Sequence, residues 1–101
     1  MSSLFSRYLN QVIDEGIAGA KKSYPNPEQK SKLDGSIAGF EACRGKTLEE
    51  IQEIATEIDE YQQQAFREHH DEYWYFRCYQ AEVQFVLSRL RTMIFLTNGN
   101  M

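Results

Sequence analysis

The sequence predicts an all-α protein, a small bundle of about four helices that forms a single domain over residues 1–101. Apolar residues recur at three- and four-residue intervals through most of the chain, and no segment predicts a strand. Only two prolines and six glycines interrupt this pattern. A chain of 101 residues provides one modest core, and its 42% hydrophobic and 26% charged shares are ordinary for a globular domain.

The first helix is predicted from about Ser3 to Lys22. One buried stripe is formed by Phe5, Leu9, Val12, Ile13, Ile17 and Ala20. Gly16 and Gly19 weaken this helix, so either a neighbouring helix approaches closely there or the helix frays. The segment Tyr24-Pro25-Asn26-Pro27 ends it, because a residue before proline is disfavoured in helical conformation.

The second helix is predicted to begin at Asn26 as N-cap, with Pro27 in the first helical position and Gln29 placed for a capping box, and to end at Gly45. Its apolar stripe consists of Leu33, Ile37, Phe40 and Cys43. Much of the remaining surface is small, through Gly35, Ala38, Gly39 and Ala42. Such residues favour a tight helix crossing within the chain over a flat surface for a ligand or a second subunit.

The third helix is predicted to begin with a capping box, in which Thr47 and Glu50 satisfy each other's backbone N–H groups. Its apolar seam consists of Leu48, Ile51, Ile54, Ile58, Tyr61 and Ala65. Acidic residues face away from the seam, at Glu53, Glu57, Asp59 and Glu60. The pattern is typical of an amphipathic helix with an acidic outer surface.

The last helix is predicted from about Glu72 to Thr97, ended by Asn98-Gly99. The polar segment before it favours a break with Asp71 as cap over one long kinked helix. One apolar stripe is formed by Trp74, Cys78, Ala81 and Phe85, and a second by Phe76, Tyr79, Val83, Val86, Leu87, Leu90 and Ile94. Apolar residues on two sides indicate a central helix or an interface helix, so we expect a homo-oligomer.

Charge is distributed unevenly around a net charge of −4. Residues 1–46 carry seven basic and five acidic side chains, residues 47–72 one basic and nine acidic, and residues 73–101 three basic and one acidic. The acidic middle third disfavours direct binding of nucleic acid, since phosphate binding requires clustered Lys and Arg.

A cytoplasmic location is expected, because no stretch is long and apolar enough to span a membrane and the N-terminus has no signal-peptide pattern. Cys43 and Cys78 each fall within an apolar helical pattern, which predicts reduced core thiols. The segment His69-His70-Asp71-Glu72 is the one cluster of metal-capable residues, and it supplies too few ligands for a zinc or di-iron site. No nucleophile elbow or phosphate loop is present, so the sequence predicts neither an enzyme nor a cofactor.

Binding is favoured instead, because residues 73–79 hold five of the thirteen aromatic residues in one run. A helix through this run points rings in every direction, more than one core face can cover. Rings for stacking and guanidinium groups for phosphate forks are combined in Arg67, Tyr73, Arg77 and Tyr79, with Lys21, Lys22 or Arg44 from a neighbouring helix. The alternative is that these rings belong to the core and Arg77 pairs with Glu82 or Asp71.

Two segments, Leu33 to Lys46 (LDGSIAGFEACRGK) and Tyr73 to Val83 (YWYFRCYQAEV), resemble small uncharacterised proteins encoded by bacteriophages and prophages. The resemblance covers about half of the chain, and it implies a phage accessory protein that acts in the host cell by binding. One hypothesis is an anti-defence protein that sequesters a phosphorylated, nucleotide-type signal at a subunit junction. A second is an inhibitor that presents Glu49, Glu53, Glu57 and Glu60 to the nucleic-acid-binding surface of a host defence protein. A third is a structural or regulatory phage protein.

Overall fold

The computed structural model describes residues 3–68 and 70–98, with side chains up to residue 96. The four helices are α1 (Leu4–Ser23), α2 (Lys30–Ala42), α3 (Leu48–Arg67) and α4 (Tyr73–Asn98). A short 3-10 turn, Pro27–Gln29, leads into α2. The described residues contain no strand, so the prediction of an all-α bundle of four helices is confirmed.

Side chains cap three of the helical segments, two of them, at Asn26 and Thr47, as the sequence predicts. The Ser3 hydroxyl accepts from the Ser6 N–H at 3.0 Å, and the Asn26 N–H donates to Gln29 Oε1 at 3.3 Å. At α3 the box is complete: Thr47 Oγ1 accepts from the Glu50 N–H at 3.1 Å, and the Thr47 N–H donates to Glu50 Oε1 at 2.9 Å. These bonds satisfy N–H groups that have no partner within the helix itself.

Helix α4 packs against each of the other three. Consecutive helices run antiparallel, because the contact partners on one helix descend along the chain as those on the other ascend. Tight turns account for this, including Gly45 between α2 and α3, whose φ of 72° is accessible to glycine without strain. As a result α2 and α4 run parallel, and Gly35 and Gly39 of α2 lie against the backbone of Tyr75 and Tyr79 respectively. The small residues of α2 therefore serve a tight helix crossing, as predicted.

The core lies where α1, α2 and α3 meet α4. It contains Leu9, Val12, Ile13, Phe40, Cys43, Ile51, Ala55, Val83, Val86, Leu87 and Leu90. Of the two glycines that weaken α1, Gly16 lies against the Phe40 ring, whereas a side chain at Gly19 would meet open space. Close approach therefore explains Gly16 but not Gly19.

The predicted break between α3 and α4 is confirmed, since α3 ends at Arg67 and α4 begins at Tyr73, one residue after the start predicted at about Glu72. In the turn between them, His70 Nδ1 accepts from the Glu72 N–H at 3.1 Å. α2 ends at Ala42, three residues before the predicted Gly45. His69 and Gly99, which the sequence placed in the metal-capable cluster and in the last helix end, lie outside the described residues.

One predicted stripe of α4 is largely not buried. Of Trp74, Cys78, Ala81 and Phe85, only Cys78 is buried. Both cysteines are free and buried, as predicted, and burial raises the pKa of the Cys43 thiol to about 12. None of the helices in the described residues combines the length and apolarity needed to cross a bilayer.

Candidate functional site

The aromatic run of α4 divides between the core and the surface. Tyr75 and Tyr79 face α2, where their backbone touches Gly35 and Gly39. Tyr79 is half-buried, and this burial raises the pKa of its hydroxyl. Tyr79 therefore contributes to packing, whereas the sequence placed it among the ligand-binding residues.

Phe76 faces α3, where its ring stacks on Tyr61 at 5.9 Å between centroids and at an interplanar angle of 22°. The same ring meets Tyr75 edge-on at 5.5 Å. Such pairs stabilise beyond the area that they bury. Within the aromatic run, Phe76 is therefore the ring that stabilises the contact between α3 and α4.

The outward rings line an open cleft where α3 ends and α4 begins, which we call the elbow cleft. Its lining residues are Ala65, Phe66, His70, Asp71, Tyr73 and Trp74, around about 420 Å³. The Phe66 and Tyr73 rings lie 5.6 Å apart and the Tyr73 and Trp74 rings 5.2 Å apart. Phe66 is 62% exposed and Trp74 is 47% exposed. Clustered exposed rings of this kind typically mark an interaction site.

Cationic groups border the elbow cleft. Lys32 Nζ lies 4.5 Å from the centre of the Trp74 ring, in cation–π geometry. Arg77 Nη1 donates to the Tyr73 hydroxyl at 3.4 Å. Arg67 is exposed in the last turn of α3. Among the described residues, neither arginine forms an ion pair, so each guanidinium group retains its capacity to bind an anion.

Lys21 and Lys22 lie in the last turn of α1, exposed and at the same end of the bundle as the elbow cleft. This follows from the topology, because α1 ends at the level where α2 begins. Tyr24, the C-cap residue of α1, lies beside Cys78 and Glu82 of α4, and burial together with these neighbours raises the pKa of Tyr24. The structure therefore brings Arg67, Tyr73, Arg77 and the lysine pair to one end.

Arg44 lies at the other end of α2 and is already paired. Its Nη2 lies 2.7 Å from Asp14 Oδ1, its Nε lies 2.8 Å from Glu41 Oε2, and its Nη1 donates to Asn10 at 3.2 Å. These contacts raise the pKa of Arg44 and lower that of Glu41. Lys32 and the end of α2 at Ala42 are ten helical residues apart, about 15 Å, and Arg44 lies two residues beyond that end. Within one chain, Arg44 is therefore not brought to the elbow cleft and instead ties α1 to α2.

Two residues of this region were missed by the sequence reasoning, Phe66 and Lys32. Phe66 lies in a polar segment outside the apolar seam of α3. Its position, a single aromatic residue off the seam and next to a helix end, could have indicated an exposed ring. Lys32 comes from a different helix, and its position over Trp74 depends on the parallel packing of α2 and α4. Sequence spacing within one helix carries no information about such a contact.

A second open groove, of about 490 Å³, runs between α3 and α4. It is lined by Gln52, Ala55, Thr56, Asp59, Gln80, Gln84, Leu87 and Arg91. Asp59 accepts from Gln63 at 2.8 Å and from Gln80 at 2.7 Å. Both carboxylate oxygens therefore have amide partners.

The carboxylates predicted for a protein partner, Glu49, Glu53, Glu57 and Glu60, are all exposed on α3. In the part of the chain that the structure describes, none of them forms an ion pair, and no three His, Cys, Asp or Glu side chains gather as metal ligands.

Comparisons with protein-family models, with curated proteins and with solved structures give no match for this chain.

Proposed function

We propose that this protein is a non-enzymatic binding protein of the phage anti-defence kind, which sequesters an anionic, nucleotide-type ligand at the elbow cleft in the cytoplasm of the host cell. The observation that carries the proposal is the combination of three clustered rings, two of them exposed, with Arg77 and Lys32 beside them.

Rings and guanidinium groups recognise the two parts of a nucleotide separately. A base can stack on an exposed aromatic ring, a contact worth about 1–3 kcal/mol in other proteins. A guanidinium group binds phosphate through two parallel hydrogen bonds. Arg77 adjoins Tyr73 and has no carboxylate partner among the described residues, so phosphate binding breaks no ion pair there.

The test is thermal unfolding against a panel of linear and cyclic nucleotides. A ligand at a hundred times its Kd stabilises by roughly 2.7 kcal/mol, which raises the Tm of a domain of this size by on the order of 10 °C. We expect one nucleotide class to give this shift, and Arg77→Ala to abolish it. Arg7→Ala is the matched control, because Arg7 is an exposed arginine on α1 at the far end of the bundle. No shift with any nucleotide, or an undiminished shift in Arg77→Ala, would overturn the proposal.

A second candidate is favoured by the exposed carboxylates of α3. Glu49, Glu53, Glu57 and Glu60 present negative charge along one helix, a pattern that fits a basic nucleic-acid-binding surface on a host protein. For this candidate, binding to the host protein weakens as salt increases, and the double variant Glu53→Gln with Glu57→Gln weakens it further. Affinity that is equal at low and high salt would exclude the candidate.

A further inference from the structure

The outward face of α4 is exposed from Trp74 to Phe95 and takes no part in the monomer core. At seven-residue intervals it presents Trp74, Ala81, Ser88 and Phe95, all of them exposed. Trp74 is 47% and Phe95 is 72% exposed. A seven-residue repeat keeps one line of side chains facing a partner helix along its length.

The order of side-chain sizes in this line is the same in both directions: large, small, small, large. When two copies of α4 pack antiparallel about a two-fold axis between residues 84 and 85, each large residue of the line therefore lies opposite a large one and each small residue opposite a small one. Trp74 meets the partner's Phe95 and Ala81 meets the partner's Ser88, so in the pair Phe66 is the exposed ring of the elbow cleft that stays open to a base. The small residues allow the two backbones to approach at the centre of the crossing. A two-fold axis requires such self-complementarity of a single surface.

The available area is that of a weak interface. α4 has 26 residues, so it is about 39 Å long and with side chains about 12 Å wide. This strip gives roughly 500 Å² per subunit and about 1,000 Å² in total, the lower limit for a specific interface. An additional attraction is therefore needed for a stable pair.

The charges along the strip indicate what supplies it. Arg77, Gln84 and Arg91 flank the line on its α3 side. In the antiparallel pair, Arg77 of each subunit faces the partner's Arg91, so the dimer contains two equivalent pairs of arginines. The sole acidic residue of α4, Glu82, is half-buried toward α2 and does not offset this repulsion. An anion between the two arginines converts the repulsion into attraction.

We propose that a second copy of this chain packs antiparallel on the outward face of α4, and that a phosphate group of the ligand bridges Arg77 of one subunit and Arg91 of the other. The proposal rests on the proposed function and completes its site, because the partner supplies the second guanidinium group. Within one chain, Arg77 and Arg91 are fourteen residues apart on a helix, about 21 Å, too far to share one phosphate. Ligand binding and dimerisation are then linked.

The first experiment measures solution mass by sedimentation, with and without inorganic pyrophosphate, which carries phosphate but no ring. We expect pyrophosphate to shift the wild-type chain from monomer to dimer, and Arg91→Ala to abolish the shift. Arg89→Ala is the matched control, since Arg89 lies on the α1 side of the helix, where it donates to the Tyr8 hydroxyl at 3.3 Å. A mass that does not respond to pyrophosphate, or an unchanged response in Arg91→Ala, overturns the proposal.

The second experiment mixes Arg77→Ala with Arg91→Ala. Neither variant alone binds the nucleotide that shifts the wild-type Tm, whereas a mixed dimer contains one junction in which both arginines are intact, so binding returns in the mixture. If Arg91→Ala alone binds like the wild type while Arg77→Ala does not, the proposed dimer junction is refuted, but ligand binding at the elbow cleft is still supported. If both variants bind like the wild type, the proposed function fails as well.

Discussion

Helix α4 meets α2 and α3 in two different ways. Against α2 it packs backbone to backbone, because Gly35 and Gly39 place no side chain between the helices. Against α3 it packs through side chains, with the Tyr61 and Phe76 rings stacked and Gln80 donating to Asp59. The contact with α2 is so close that a larger side chain at either glycine would meet the backbone of α4. The contact with α3 is wider, partly exposed and partly polar.

This difference explains where the aromatic run points. Residues four apart lie on the same face of a helix, so docking at Tyr75 and Tyr79 fixes the rotation of α4 about its axis. With that rotation Phe76 turns toward α3, and Tyr73, Trp74 and Arg77 turn outward. The glycines of α2 thus determine which rings are available to a ligand, although they lie outside the elbow cleft.

Stability should fall most when a side chain is introduced between the backbones of α2 and α4. A methyl group at Gly35 meets the Tyr75 carbonyl group, which is backbone and cannot rotate away. We expect Gly35→Ala to lower the free energy of unfolding by about 3 kcal/mol, the upper range for overpacking, despite the better helix propensity of alanine. Urea denaturation followed by circular dichroism measures this loss.

Gly19→Ala is the matched control for that substitution. It makes the same chemical change in a helix, but the added methyl group meets open space. We expect it to raise the free energy of unfolding by about 0.5–1 kcal/mol, since alanine is the better helix former. Equal effects of the two substitutions would show that α2 does not hold α4 by direct backbone contact.

A smaller effect is expected on the α3 side. Phe76 is half-buried between Tyr61 and Tyr75, so Phe76→Ala removes two ring contacts. We expect a loss of about 2 kcal/mol, below the range for a fully buried phenylalanine, because the partly exposed site can relax or admit water. Phe76→Leu retains much of the volume and should cost less than about 1 kcal/mol. A loss in Phe76→Ala as large as that of Gly35→Ala would contradict the distinction between the two contacts.

The helices and their boundaries were predictable because they depend on local chemistry. The environment of α4 was not predictable in this way. The Thr47–Glu50 box and the proline segment act within a few residues, so the sequence alone specified them. The two apolar stripes of α4 were also visible, but periodicity does not tell which stripe a neighbouring helix covers. For the same reason Arg44 was placed with a ligand although Asp14 of α1 pairs with it. Such contacts depend on helix packing across the whole chain.

On the α2 side of α4, a single carboxyl group is expected to change stability only slightly. Glu82 is half-buried, and desolvation raises the pKa of its carboxyl group. The Ser36 hydroxyl, which is 1% exposed, lies near enough to oppose this shift in pKa partly, but the two groups do not reach full hydrogen-bond geometry. Glu82 in turn contributes to raising the pKa of the neighbouring Tyr24 hydroxyl.

A carboxyl group whose pKa is higher in the folded state binds more protons there, so it lowers stability as pH rises from its unfolded pKa, about 4.3, through its folded value. Glu82→Gln removes this penalty. We expect the variant to be more stable than the wild type at pH 7, by about 0.5 kcal/mol after allowance for solvent screening at a half-exposed site, and the difference to vanish near pH 4. Glu53→Gln, at an exposed carboxylate of α3, is the comparison variant. If the change in free energy of unfolding caused by Glu82→Gln were the same at pH 4 and pH 7, desolvation of the Glu82 carboxyl group would be negligible. Water would then reach the α2 side of α4 as freely as it reaches the surface of α3.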